Sequence, residues 1–374
     1  MNKPLFLFSA LLFYAVTSVM AVSAHAALTV SDEWRLETSN DGTIATARHE
    51  AASVVVGDYI YLIGGRGNRP VERYSTVNGQ WENLGNAPVE LHHLQPVVIG
   101  TNIYIVGAFT CCYPREQAVA EIYVFDTQSL TWDVEGSIPS TRLRGSAAAV
   151  VKDDRIYLLG GNTQGHDGGA VAWFDEFDPA TGQWRELPDA PHARDHFAAV
   201  LVNQRLIAAA GRQSALPNPS ANAVAQTDIY DFDRGQWRSV GLIPTPRGGA
   251  VAVGYGDNVI VAGGEINTAN TALDVVESFD LNTETWQSLP PMLEGRHGAG
   301  GGIVSARFHM ISGASSLGGA QETASHEMLQ LPEITALPQG TSKGGSVELF
   351  SLCVLLLGLT RVYFQTTAQR LAES

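Results

Sequence analysis

At 374 residues the chain has room for one large domain or two small ones. Hydrophobic residues make up 45% and charged residues only 16%, with 38 glycines, a balance that suits an all-β fold with many tight turns. The formal net charge of -15 argues against nucleic acid, whose phosphates demand a basic footprint, and against an anionic membrane surface as the main partner.

The chain begins like a secretory signal over residues 1–26. Lys3 is the positive flank, Leu5 to Val22 is apolar, and Ala24-His25-Ala26 is an A-x-A cleavage site before Ala27. The alternative is an uncleaved N-terminal anchor. Export implies an oxidising compartment. Three cysteines are too few to build the fold, so the core must come from packing.

A repeating unit follows, most complete from Arg247 to Met292. A run of small apolar residues (Ala250 to Val253) is followed by a turn at Gly256-Asp257-Asn258. A second run, Val259 to Ala262, stops at Gly263-Gly264. After a polar loop come a run from Val275 to Phe279, a turn at Asn282-Thr283 and a run carrying Trp286. This predicts four short strands per unit. The doublet recurs as Gly64-Gly65 and Gly160-Gly161, with degraded forms at Gly107-Ala108, Ala210-Gly211 and Gly313-Ala314. An arginine precedes the doublet by 16 residues at Arg48, Arg144, Arg194 and Arg247. Leu91 holds that place in the second unit, and Arg296 lies 17 residues before Gly313. Trp81, Trp132, Trp184, Trp237 and Trp286 close successive units.

This pattern resembles the kelch repeat over roughly residues 31 to 331. The resemblance rests on the doublets, on the aromatic-Asp pairs Phe125-Asp126, Phe177-Asp178 and Phe279-Asp280, and on the spaced tryptophans. It implies that each unit is a four-stranded blade of a β-propeller. No tryptophan follows the sixth unit, but Trp34 precedes the first. The predicted fold is therefore an all-β, six-bladed kelch propeller over residues 27–331, its last blade closed by the N-terminal strand around Trp34. Trp173 lies outside the pattern and is expected on a third strand.

Residues 332–346 read as a polar linker. Residues 347–374 hold an apolar run, Leu349 to Leu359, shorter than the about 20 residues of a bilayer span. With Gly344-Gly345 before it and Arg361 after it, this tail resembles the GlyGly-type sorting signal of some Gram-negative bacteria. Glu348 and the length beyond Arg361 depart from that pattern. The alternative is a plain C-terminal anchor with Arg361 and Arg370 facing the cytoplasm. Either way the propeller is displayed outside the inner membrane, at the periplasm or cell surface, and meets the membrane only through this segment. Cys353 belongs to it.

In an antiparallel blade the loops from strand four to strand one and from strand two to strand three share a face. Arg48, Arg144, Arg194, Arg247 and Arg296 are thus expected to ring the channel mouth, beside His49, His92, His93, His196 and His297. Such a ring suits carboxylate, sulfate or phosphate groups. The competing reading is that the arginines hold the blades together, since a position repeated in every unit usually serves the unit. The histidines come from different blades without a local spacing motif, so no metal and no cofactor are expected. Glu50, Asp195 and Asp167 are nearby bases, none singled out. Cys111 and Cys112 are adjacent: they either close a vicinal disulfide ring, the favoured reading, or remain free thiols or bridge two molecules.

No constellation of nucleophile, base and orienter emerges. The reading is a monomeric, exported, non-enzymatic binding module for a protein or glycan, acting through its loop face. The alternative is a periplasmic sugar enzyme. Six-bladed kelch proteins include sialic-acid epimerases, and an epimerase or mutarotase of an acidic sugar would use an arginine-lined pocket. The copper-containing galactose oxidases also carry kelch repeats, but Cys111, Cys112 and Tyr113 give no convincing match to their crosslinked site.

Overall fold

A computed structural model describes residues 28–266 and 271–334. The signal segment, most of the linker and the apolar tail with Cys353 lie outside the described residues. The described residues up to Pro332 form one compact unit. It comprises six four-stranded antiparallel sheets and one two-stranded hairpin. The innermost strands are Ala51–Val56, Val97–Ile99, Ala148–Lys152, Ala199–Val202, Val251–Tyr255 and Gly300–Val304. Each touches the next, and the first touches the last, so the sheets close into a six-bladed propeller. The innermost strands line a central channel of about 410 Å³. Small residues such as Ala51, Ala149, Ala199 and Gly302 face it and let the blades converge.

The repeated residues each make one joint. In the first five blades the fourth-strand tryptophan lies opposite the third-strand aromatic, as Tyr74 with Trp81, Phe125 with Trp132, Phe177 with Trp184, Tyr230 with Trp237, and Phe279 with Trp286. The indole N–H then reaches the preceding blade. Trp184 donates to the Ser137 carbonyl, Trp237 to that of Pro188, and Trp286 to the Thr227 hydroxyl. The Asp after the aromatic folds the following turn: Asp126 accepts from the N–H groups of Gln128 and Ser129, and Asp280 from those of Asn282 and Thr283.

The 16-residue spacing is a hydrogen bond. Arg48, Arg144, Arg194 and Arg247 donate to the carbonyls of Gly64, Gly160, Ala210 and Gly263 at 3.1, 2.7, 2.8 and 2.6 Å. In the sixth blade Arg296 donates to Ser312, again 16 residues on. The doublet position there is Ser312–Gly313, one residue earlier than the sequence reading placed it, and both residues have positive φ, 60° and 101°. The second doublet residue joins the next blade: Gly65, Gly161, Gly211, Gly264 and Gly313 donate their N–H to the carbonyls of Leu91, Arg194, Arg247, Arg296 and Arg48 at 2.8–2.9 Å. At Gly263 a side chain has no room, since a Cβ there would sit 2.4 Å from the Arg296 carbonyl.

The N-terminal segment closes the ring. Arg35 and Leu36 pair with Met328 and Glu327, forming the outer strand of the sixth blade. Trp34, 3% exposed, packs edge-on against Phe308 at 5.3 Å and donates to the Pro290 carbonyl of the fifth blade. Trp173 sits one residue ahead of its third strand, Phe174–Asp178, rather than on it. There its carbonyl accepts from Gly160, and its ring stacks under Arg142 at 4.5 Å.

A buried histidine pair marks the seam between the sixth and first blades. His309 Nδ1 and His326 Nε2 are 2.9 Å apart, beside Tyr74 and Trp81. Burial, helped by Arg307, pushes His309 down to about 4, and burial with His309 and Arg296 nearby holds His326 well below its ordinary range. The carboxylate facing this group is Glu37, which accepts from the Tyr74 hydroxyl. The unfolded chain binds these protons near pH 6.5 and the folded chain does not. Stability is therefore full above about pH 6.5 and falls toward pH 4, by up to about 3 kcal/mol for His309 alone. Urea denaturation across this window should show the loss, and His309→Leu should flatten it; an unchanged slope would refute this assignment.

Candidate functional site

The residue two places after each repeat-start position forms a ring at one end of the channel. It is Glu50, His93, Ser146, His196, Gly249 and Gly298 in blades 1 to 6. All six are in the left-handed region, with φ of 56°, 51°, 53°, 52°, 66° and 57°. The fold demands this conformation, because the ring is laced by backbone bonds. His93 donates to Glu50, Gly249 to His196, Gly298 to Gly249, and Ala51 to Gly298. Glycine meets the demand freely. A residue with a side chain pays about 1–2 kcal/mol. Four blades nevertheless place a polar side chain there, which marks the ring as a place where side chains matter.

Around the ring lies a dense polar cluster. His196 Nδ1 donates to Asp195, which also accepts from the Ser214 hydroxyl at 2.6 Å and the Ser214 N–H at 2.9 Å. His166, from the third blade's loop, donates its Nδ1 to Glu116 of the second blade's loop at 2.8 Å. Arg66 also reaches Glu116, at 2.6 Å. Arg212 binds Glu265 and lies 3.1 Å from His166 Nε2. His93 Nδ1 is 2.6 Å from His92 Nδ1. The rings of His93, His166 and His196 meet edge to face, with centroids 4.5–5.3 Å apart.

The electrostatics follow from burial against partners. Burial would raise the Glu50 carboxyl, but His93, His297 and His196 outweigh it and hold it well below the carboxylate range. Burial would likewise raise Glu265, but Arg212 and His297 outweigh it, leaving it near 2. Burial drives His93 well below its usual value despite Glu50. His196 is lowered by burial and by Arg212, against Asp195. The cluster thus sets Glu50, Glu265 and Asp195, all held toward the ionised form, beside His93 and His196, both pushed toward the neutral form.

The structure separates the expected site residues into two groups. Arg48, Arg144, Arg194, Arg247 and Arg296 are 0–1% exposed and point into their own blades. Besides the doublet carbonyl, each pairs with a third-strand carboxylate: Glu72, Asp175, Asp228, Glu277 and Glu327 respectively. The second blade lacks both halves of this joint. Leu91 replaces the arginine, and Tyr123 stands at the register position of the acid. The histidines do gather at the ring: His49 pairs with Glu322 at 2.7 Å, and His297 Nδ1 is 3.7 Å from Glu50. Cys111 and Cys112 are joined as a vicinal disulfide, in the loop that supplies Tyr113 over His166. Sequence reasoning missed His166, Glu116, Arg212, Ser214 and Glu265, which lie on loops of unequal length. Arg212 and Glu265 share one signal, since each directly follows its blade's doublet position.

The loops between second and third strands touch each other around the whole face. Arg66 meets Glu116, and the Pro114 carbonyl accepts from His166. Gly168 lies against the Ser214 carbonyl, and Arg212 and Ser220 reach Glu265. Ala272 donates to Ser315, and Glu322 returns to Arg69 of the first blade. The outcome is one continuous collar, with Tyr113 (63% exposed) and Leu216 (53%) standing out of it.

Fold and collar define a closed six-bladed propeller built from one repeated four-stranded unit. The chain belongs to the kelch-repeat family: the KLHDC2/KLHL20/DRC7 Kelch-repeats domain matches residues 92–311 and the Kelch motif residues 47–88. It is 28% identical over 309 residues to the Kelch-like protein terF of Aspergillus terreus, covering 76% of this chain and 65% of that protein. It is 25% identical over 212 residues to Kelch-like protein 38 of Mus musculus, covering 55% of this chain and 35% of that one. The chain thus spans less than two thirds of the length of these curated relatives. A solved structure titled "Structure of YjhT" aligns with a TM-score of 0.65 at 15% identity, over 78% of this chain and 95% of that one, a likeness of fold alone.

Proposed function

We propose that the propeller is an exported, non-enzymatic binding module that engages a protein partner through its loop collar. The kelch propeller fold fits a protein-binding module. The observation that carries the reading is the collar itself, a continuous rim with exposed Tyr113 and Leu216, on a scaffold whose repeat arginines are spent on internal joints. An exposed aromatic and an exposed aliphatic side chain on a braced rim are suitable anchors. The arginine-lined pocket expected for an acidic-sugar enzyme loses its support, because those five guanidinium groups are buried in their blades. Export and surface display rest on the N-terminal A-x-A segment and the tail, and the vicinal disulfide suits an oxidising compartment.

The test is crosslinking capture from envelope extracts and a glycan array, both with wild type and with the double variant Tyr113→Ser, Leu216→Ser. A partner that is bound by wild type and at least about tenfold more weakly by the variant, at unchanged melting temperature, supports the reading. Equal binding by both refutes the collar as the docking face. Retention on the array instead of a protein makes the ligand a glycan, and turnover of any sugar hit refutes the non-enzymatic reading.

A further inference from the structure

Three imidazoles that the sequence scatters over two ring positions and a loop meet in space. One ring nitrogen each from His93, His166 and His196 lies within 4.8 Å of the other two. All three residues are buried, at 6%, 7% and 5% exposure. Their outer nitrogens are already occupied. His196 Nδ1 donates to Asp195, His166 Nδ1 donates to Glu116, and His93 Nδ1 pairs with His92. A neutral imidazole that donates from Nδ1 carries its lone pair on Nε2. His93 Nε2 and His196 Nε2 are buried without a hydrogen-bond partner. Buried polar atoms seldom stay unpaired, and two of them turned into one cluster call for a shared occupant. Glu50 adds a carboxylate oxygen 3.2 Å from His93 Nε2, an ion-pair contact poorly aligned for a hydrogen bond. That separation matches two ligands each about 2 Å from one tetrahedral ion.

We propose that His93, His166 and His196 form a binding site for a divalent transition-metal ion of the zinc type at the mouth of the central channel, with Glu50 as the adjacent anion. Imidazole nitrogen is the donor that zinc-type ions prefer. Asp195 and Glu116 accept from the outer nitrogens of His196 and His166, which fixes the tautomer and ring orientation of such ligands. The strained φ of His93 and His196, at positions where two other blades use glycine, is explained by the need for their side chains. The ion faces one competitor. Arg212 donates to His166 Nε2 at 3.1 Å, and metal binding replaces that bond while Glu265, Ser214 and Ser220 retain the guanidinium. The site is independent of the collar reading above.

The experiment uses the purified full chain, stripped with EDTA, and titrates Zn²⁺ against a chromophoric chelator at pH 7.5. Co²⁺ serves as an optical probe of coordination. One equivalent per chain is expected, with a cobalt spectrum of four- or five-coordinate geometry. His93→Gln and His196→Gln should weaken binding by at least about 100-fold, and Asp195→Asn by about 10- to 100-fold. Arg212→Met should tighten it, an outcome that a merely structural histidine cluster does not give. His309→Gln, at the distant buried pair, should change nothing. If the histidine variants fail to fold, Arg212→Met and the wild-type cobalt spectrum still decide. Absence of stoichiometric binding by wild type, or binding indifferent to all the cluster substitutions, overturns the proposal.

Discussion

Arg247→Ala is expected to destabilise the propeller by about 3–5 kcal/mol in urea denaturation. The side chain is fully buried, and its loss leaves Glu277, itself 2% exposed, as an uncompensated buried carboxylate. Thr245 still donates to Glu277 at 2.9 Å, but one hydroxyl does not neutralise a charge. The carbonyls of Gly263 and Val261 lose their donor as well. The second blade offers the control. Its Leu91 and Tyr123 show the same blade built without the ion pair, and Leu91 is 1% exposed within an apolar cluster. The double variant Arg247→Leu, Glu277→Tyr copies that solution. It should recover at least about 2 kcal/mol of the loss, because replacing both members of a buried pair by packing groups is often neutral. A double variant as unstable as the two single losses combined would show that the carbonyl bonds, not the charges, dominate.

Trp34→Ala should lower stability by about 3–5 kcal/mol, the range for truncating a large buried aromatic. The effect is larger than its place near the chain start suggests. Trp34 fills the interface between the fifth and sixth blades together with Tyr255, Phe308 and Leu329, and it anchors the two-residue strand that completes the ring. The same truncation at Trp184, partly exposed on the outer strand of its blade, should have a clearly smaller effect in thermal melts. Equal effects would mean that closure adds nothing beyond local packing.

Most of the fold was legible in the sequence because a propeller repeats its instructions. The doublet, the third-strand aromatic and the fourth-strand tryptophan recur in phase, and each names a position in a sheet. The arginine spacing was equally visible, but its meaning was not. The second partner of each arginine lies beyond a loop of variable length, from 24 residues on for Glu72 to 34 for Asp228. Counted backward from the third-strand aromatic, the acid is two residues away in four blades, at Glu72 with Tyr74, Asp175 with Phe177, Asp228 with Tyr230 and Glu277 with Phe279; in the sixth, Leu329 holds the aromatic's place after Glu327. That register was available and would have separated a joint from a ligand ring. His166 had no such register. It reaches the channel mouth only through the path of one loop, which its neighbours Glu116 and Arg212 hold in place.

At five of the six blade junctions the carbonyl at the repeat-start position accepts from the preceding blade's second doublet N–H, and this bond has an evolutionary reading. A repeat that carries both groups has a plug on one side and a socket on the other. A duplicated repeat is therefore born compatible with its parent, and an array can lengthen without inventing a new interface. Even the join between the sixth and first blades uses this bond, from Gly313 to Arg48. What is particular to that join is the outer strand of the sixth blade, Arg35–Leu36, which comes from the other end of the ring.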